Sequence, residues 1–275
     1  MRHACLIAAA LIAAAPMTLG AAGPSGTGPS ATAPVTAQVL PGWVQADGSR
    51  VAALELSLAP GWKTYWRAPG DAGIPPEFNW SESKNLGGVT IHWPTPQVFD
   101  TSGMRTLGYT DRLVIPLAIA PQRAGQPVHL NAEMNLGICS DICMPYALSF
   151  DAVLQGTDTR PTPAIAAALA QQPFTSDEGR VSAATCRVEP TADGLWIEAR
   201  ITMPSAGGAE VVVIEPGQPD IWVSEAESQR QGQDVVAVAE MMQVNGQMIA
   251  LDRSAIRLTV LGTSHAVDIQ GCTPD

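Results

Sequence analysis

Leu195–Met203 reads LWIEARITM and Ile256–Gly262 reads IRLTVLG, and both alternate apolar with polar side chains. Successive side chains of a strand point to opposite faces of a sheet, so a period of two marks a strand with one face buried. Other strand-like runs lie on either side of these two. Val51–Leu58 (VAALELSL), Val89–Trp93, Leu113–Ile119, Val128–Leu136 and Ala147–Leu154 stand in the first half. Glu210–Glu215, Ile221–Glu225, Val235–Met241 and Ala266–Ile269 stand in the second. Strands this short, broken by turn residues at intervals of roughly ten positions, point to β-sandwiches. The sequence predicts an all-β chain of two tandem immunoglobulin-like β-sandwich domains.

The 275-residue chain opens MRHACLIAAALIAAAPMTLGAAG, with Arg2 ahead of an apolar run from Ala4 to Ala15 and small residues ending at Ala21 and Ala22. A basic start, a short apolar run and a small-residue cleavage region have the form of a secretory signal, too short to span a bilayer. Residues 1–22 are expected to be a cleaved signal peptide that removes Cys5, and residues 23–34 (GPSGTGPSATAP) a disordered tether. The sandwiches are expected over 35–155 and 177–275. Between them, 156–176 reads as a polar, proline-bearing linker whose Ala164–Gln172 segment (AIAAALAQQ) forms a short helix. No later run approaches the ~18 consecutive apolar residues of a transmembrane segment, so none is expected in the mature chain. Loss of the signal leaves 26 acidic residues against 14 basic ones. Such a surface repels phosphate backbones and anionic lipid, so no nucleic-acid partner is expected.

Export brings the chain to an oxidising compartment, where disulfides persist. Asn135–Phe150 reads NLGICSDICMPYALSF and holds Cys139 and Cys143, with three residues between them. That spacing lets two Cα atoms come within the ~4.4–6.8 Å that a disulfide needs. The pair is a candidate reversible dithiol/disulfide site. No Lys, Arg or His stands beside it in sequence, and Asp141 between the two should raise their thiol pKa values. This local setting suits a disulfide attacked by an external thiolate. A static staple is the alternative, but closing so small a loop is worth only about 2 kcal/mol, against about 4.6 for the span from Cys186 to Cys272. Cys186 and Cys272 stand near the two ends of the second domain and are expected to form a structural disulfide.

Copper offers a second function class. Cys139, Cys143 and Met144 are soft donors that suit Cu(I), and further methionines stand at 104, 134, 203, 241, 242 and 248. No Met-rich repeat occurs and His92 and His129 lack ligand-like spacing, so scattered core methionines are the competing reading and no metal or cofactor is assigned. Phosphate loops, Ser-His-Asp arrangements and paired catalytic carboxylates are not recognisable. Five tryptophans, Trp43, Trp62, Trp66, Trp80 and Trp93, fall in the first half. The Gly- and Pro-rich stretch Gly61–Trp80 is expected to be an ordered loop whose rings make a binding surface or plug the sandwich. Arg67 and Asp71 within it could form a local ion pair.

The segments GWKTYWRAPGDAGIPPEFNW, HWPTPQVFD (His92–Asp100), LGYTDRLVIPLAI (Leu107–Ile119) and LGICSDICMP (Leu136–Pro145) occur in this order between Val35 and Leu154. On these motifs the first domain resembles the N-terminal periplasmic domain of the DsbD-type thiol:disulfide interchange proteins, particularly the ScsB-like copper-tolerance branch. The second region resembles that branch's companion domain. The resemblance implies an immunoglobulin-like fold in the periplasm. It also implies a redox-active Cys139/Cys143 pair that relays electrons between a membrane transducer and thioredoxin-like proteins, an oxidoreductase activity. The DsbD domain separates its cysteines by five residues, whereas this chain has the three-residue spacing of the copper-tolerance branch. The chain carries neither the membrane domain nor the thioredoxin-like domain of full-length members, so a separate membrane electron transducer is the expected partner. The resemblance further implies a cap over the cysteines, formed here by FDTSGMRTLGY ahead of Asp111-Arg112-Leu113, with Met104, Leu107 and Tyr109 as its residues.

Overall fold

The alternating runs form strands in the computed structural model, which describes residues 33–275 apart from Asp71, Ser102 and residues 246–248. The expected signal peptide, Cys5 and most of the expected tether lie outside the described residues. The first half comprises β1 (Val35–Val44), β2 (Arg50–Leu58), β3 (Lys63–Tyr65), β4 (Glu77–Asn79) and β5 (Leu86–Ile91). It continues with β6 (Gln97–Thr101), β7 (Met104–Thr110), β8 (Arg112–Pro121), β9 (Val128–Cys139), β10 (Cys143–Leu154) and the helix α1 (Pro163–Leu169). The second half holds β11 (Ala183–Pro190), β12 (Leu195–Thr202), β13 (Val211–Glu215), β14 (Ile221–Val223) and β15 (Glu227–Gln231). It ends with β16 (Asp234–Gln243), β17 (Arg257–Leu261), β18 (Ala266–Gln270) and β19 (Thr273–Pro274).

Each half contributes two sheets, and the fold is all-β. In the first, β1-β2-β8-β5 faces β10-β9-β3-β7-β6, with β4 also paired to β9. In the second, β14-β16-β12-β11-β19 faces β13-β17-β18, with β15 also paired to β16. Residues 33–275 cluster as one unit, and the packing shows why. Leu261 and Ala266 of the second half belong to the core of the first, and Val211 and Val213 pack against it. No helix among the described residues is long and apolar enough to cross a membrane.

Two strands show how sequence sets position. Along β9, Val128, Leu130, Ala132, Met134, Leu136 and Ile138 are buried, while His129, Asn131, Glu133 and Asn135 are exposed. Even-numbered residues therefore face the core and odd-numbered ones face out. Along β2 nearly every residue is buried. Ala52, Leu54 and Leu56 enter the central core, whereas Val51 and Ala53 pack with Val114 beneath Ile165 and Ala168 of α1. The expected linker helix thus covers the outer face of a sheet, which is why VAALELSL carries apolar residues on both of its faces. In the second half Cys186 is fully buried in the core. Its disulfide to Cys272, with Cα atoms 5.7 Å apart, fastens the C-terminal segment where β19 runs parallel to β11.

Candidate functional site

β9 and β10 pair without a register break from Val128↔Leu154 to Cys139↔Cys143. The two cysteines are thus the last opposed pair of a hairpin whose tip is Ser140-Asp141-Ile142. Opposed residues of an antiparallel pair share a face, and the sulfurs are joined, with Cα atoms 4.1 Å apart. Being odd-numbered on β9, Cys139 lies on the outer face with Gly137, away from the core. The pair is asymmetric: Cys139 is 6% exposed, whereas Cys143 is exposed. The chain neighbours of Cys143, Ile142 and Met144, are 76% and 44% exposed.

A third strand completes the site. Lys63 of β3 is the register partner of Cys139, and Thr64 that of Ile138. Two residues beyond Lys63 and on the same face, Tyr65 lays its ring over Gly137. A Cβ there would lie 2.6 Å from Tyr65 Cδ2 and 2.7 Å from Ile74 Cβ, so the close approach requires glycine. The Tyr65 hydroxyl donates a hydrogen bond to Cys143 Sγ at 2.9 Å. Burial pushes its pKa up, which keeps the proton on the oxygen and the donor in place.

Tyr65 lies on the outer face and yet is only 2% exposed. The connection between β3 and β4 returns over it at Gly73, where a Cβ would meet Pro69 Cβ at 2.3 Å and Tyr65 Cδ1 at 3.0 Å. The second half grips this loop from behind. Arg67 donates from Nε and Nη2 to the two carboxylate oxygens of Glu215 at 3.0 and 2.9 Å, lies 3.6 Å from Asp268, and stacks over the Trp66 ring. Arg67 is therefore held by carboxylates of the second half, while Asp71 lies outside the described residues. Trp66 and Trp93 are buried in the first core, Trp62 and Trp80 pack against it, and Trp43 packs beside α1. Four of these rings fill the sandwich, and Trp43 packs under the helix on its outer face.

The stretch expected to cap the cysteines is the β6–β7 hairpin. Leu107 and Tyr109 are 3% and 6% exposed and belong to the first core, with the Tyr109 hydroxyl donating to the Pro94 carbonyl at 2.7 Å. They face the opposite side of the sheet from the disulfide. Met104, 53% exposed, shares the outer-face alternation. On β7 it is Thr110 that stands opposite Lys63, so Met104 lies farther along the strand from the cysteine level. Met144 is the partner of core residue Ile138, so alternation turns it to the face opposite Cys143 and the three soft donors do not converge. Among the described residues no group of three or more His, Cys, Asp or Glu is arranged to hold a metal ion. Sequence reading missed Lys63 and Tyr65. Their alternation in GWKTYW was the available signal, but a three-residue strand is too short to register as a period.

The profile of the family described as thiol:disulfide interchange protein DsbD, N-terminal, matches residues 33–154. Those residues belong to that family. The DsbD-type segment runs from the start of β1 to the end of β10 and includes the disulfide hairpin, Lys63 and Tyr65. Its family is one of thiol–disulfide interchange. By structure, the N-terminal periplasmic domain of ScsB from Proteus mirabilis aligns over 88% of this chain and 92% of that one, with a TM-score of 0.64 and 23% identity. That likeness extends across both sandwiches and shows a shared fold. The reduced DsbD N-terminal domain of Neisseria meningitidis aligns over 45% of this chain and 90% of that one at 17% identity, with a TM-score of 0.25, too low to carry weight. No curated protein matches the chain.

Proposed function

We propose that the Cys139–Cys143 disulfide is a thiol–disulfide exchange site through which this chain relays electrons to or from thioredoxin-like proteins of the periplasm, with a membrane electron transducer as its other partner. The observation that carries this reading is the asymmetry of the pair: an exposed Cys143 bonded to a buried Cys139. An incoming thiolate attacks Cys143 Sγ, forming a mixed disulfide, and Cys139 Sγ leaves with the electron pair of the broken S–S bond. A second thiolate of the same partner then attacks its own sulfur in the mixed disulfide and releases Cys143. Once both sulfurs are protonated, the chain holds two electrons and two protons more and the partner is a disulfide. The reverse sequence delivers them onward. Access decides which sulfur is attacked, and exposed Ile142 next to Cys143 offers an apolar contact for a docking partner.

Shielding of the resting disulfide is assigned to Tyr65 and the loop over it, rather than to Met104, Leu107 or Tyr109 of the β6–β7 stretch. Cys186–Cys272, enclosed by the second core, is assigned a structural role. Mixing the reduced chain with an oxidised thioredoxin-like protein in the presence of a Cu(I) chelator and limiting Cu(I) tests the reading. The expected result is transfer of one disulfide per Cys139/Cys143 pair with the copper left on the chelator. No transfer, together with copper held by the chain, would favour the copper-binding alternative.

A further inference from the structure

When Cys143 is attacked, a negative charge appears on Cys139, a residue 6% exposed. Burial disfavours a thiolate, so the leaving step needs a compensating charge. Around this sulfur the outer-face positions are Cys143 and Pro145 on β10, Lys63 and Tyr65 on β3, and Thr106, Gly108 and Thr110 on β7. On β6 they are Gln97 and Phe99. That set holds one cation and no carboxylate. The flanking acids are Asp141 in the hairpin tip and Asp111 just beyond Thr110, both exposed; Glu133 on β9 and Glu77 on β4, also exposed, stand farther along the sheet. With the disulfide closed, the Lys63 ammonium rests on Thr106 Oγ1 at 3.2 Å and over the Phe99 ring at 4.9 Å. As the register partner of Cys139, Lys63 starts its stem roughly 5 Å from the cysteine Cβ. A four-carbon stem starting there is long enough to carry an ammonium to the sulfur.

Resting on the exchange reading above, we infer that Lys63 is a further catalytic residue of this site, its ammonium moving from Thr106 and Phe99 onto the Cys139 thiolate as the Cys139–Cys143 bond breaks. The step balances: the attacking thiolate's charge is transferred to Cys139, and Lys63 neutralises it without giving up its proton. The reverse reaction begins from the same ion pair, with Cys139 as the attacking thiolate.

The test uses residues 23–275, which lack Cys5, carrying Cys143→Ser with Cys186–Cys272 left oxidised, so that Cys139 is the free thiol. Its ionisation is followed by ultraviolet thiolate absorbance and by the pH dependence of iodoacetamide alkylation. Lys63→Met should move the midpoint up by about one pH unit, and Lys63→Arg should restore most of the shift. In the chain with both cysteines, Lys63→Met should slow opening by dithiothreitol about tenfold at neutral pH. If Lys63→Met unfolds the chain, Lys63→Gln makes the same measurement. An unchanged midpoint in the neutral variant would overturn the assignment. This titration needs no protein partner, so a null shift removes Lys63 from the mechanism while leaving the exchange site intact, whereas failed exchange with a normal shift would remove only the relay.

Discussion

A Cys139→Ser chain activated as a nitrobenzoate mixed disulfide at Cys143 should react with the free thiol of a thioredoxin-like protein at least about tenfold faster than a Cys143→Ser chain activated at Cys139, because access governs which sulfur is attacked. Colour release by the displaced thionitrobenzoate gives both rates. The expectation follows from burial: Cys143 is exposed at the start of β10, whereas Cys139 is 6% exposed between Lys63 and its hairpin partner. The product of the faster reaction should persist as a covalent complex when the partner's second cysteine is also replaced by Ser, since both sulfurs that could resolve it are then gone. Equal rates would mean that the hairpin opens before exchange and that the resting asymmetry does not select the attacked sulfur.

The second large effect concerns stability. Replacing Cys186 and Cys272 together with Ala should lower the unfolding free energy by about 2–5 kcal/mol, the usual cost of removing a native disulfide. Denaturant unfolding measures it. Two losses combine: the loop restraint on the unfolded chain and the sealing of a fully buried residue within the second core. Leu261 and Ala266 are part of the first core, so destabilisation should spread beyond the second sandwich. Retention of full stability would show that the bond adds nothing to the packing around Cys186.

Much of this architecture was legible. The alternating runs at 195–203 and 256–262 became β12 and β17 almost to the residue, because strands with one buried face must alternate. The turn-rich spacing yielded the paired sheets. The elements that escaped are those whose existence depends on neighbours. Lys63–Tyr65 and Glu77–Asn79 are three-residue strands laid along β9, held by pairing rather than by their own pattern, and the stretch between them read as loop throughout. FDTSGMRTLGY likewise read as a cap, whereas its Leu107 and Tyr109 are drawn into the core by the alternation of a strand hidden behind Gly and Thr. At the site, Cys139 and Cys143 stood out by spacing and were joined as a pair. Lys63 lies 76 positions from Cys139 in sequence and reaches it only through strand register. Local charge counting therefore found Asp141 and missed the cation.

The claim that the Cys139–Cys143 bond is the exchange site is tested most directly by graded reduction. The oxidised chain is equilibrated in a series of thiol buffers of increasing reducing strength, quenched with an alkylating agent, and each cysteine is followed by mass spectrometry. Cys139 and Cys143 should become alkylated together at mild potentials while Cys186 and Cys272 stay protected until far stronger reduction. Opening of Cys186–Cys272 first, with Cys139–Cys143 still closed, would contradict it.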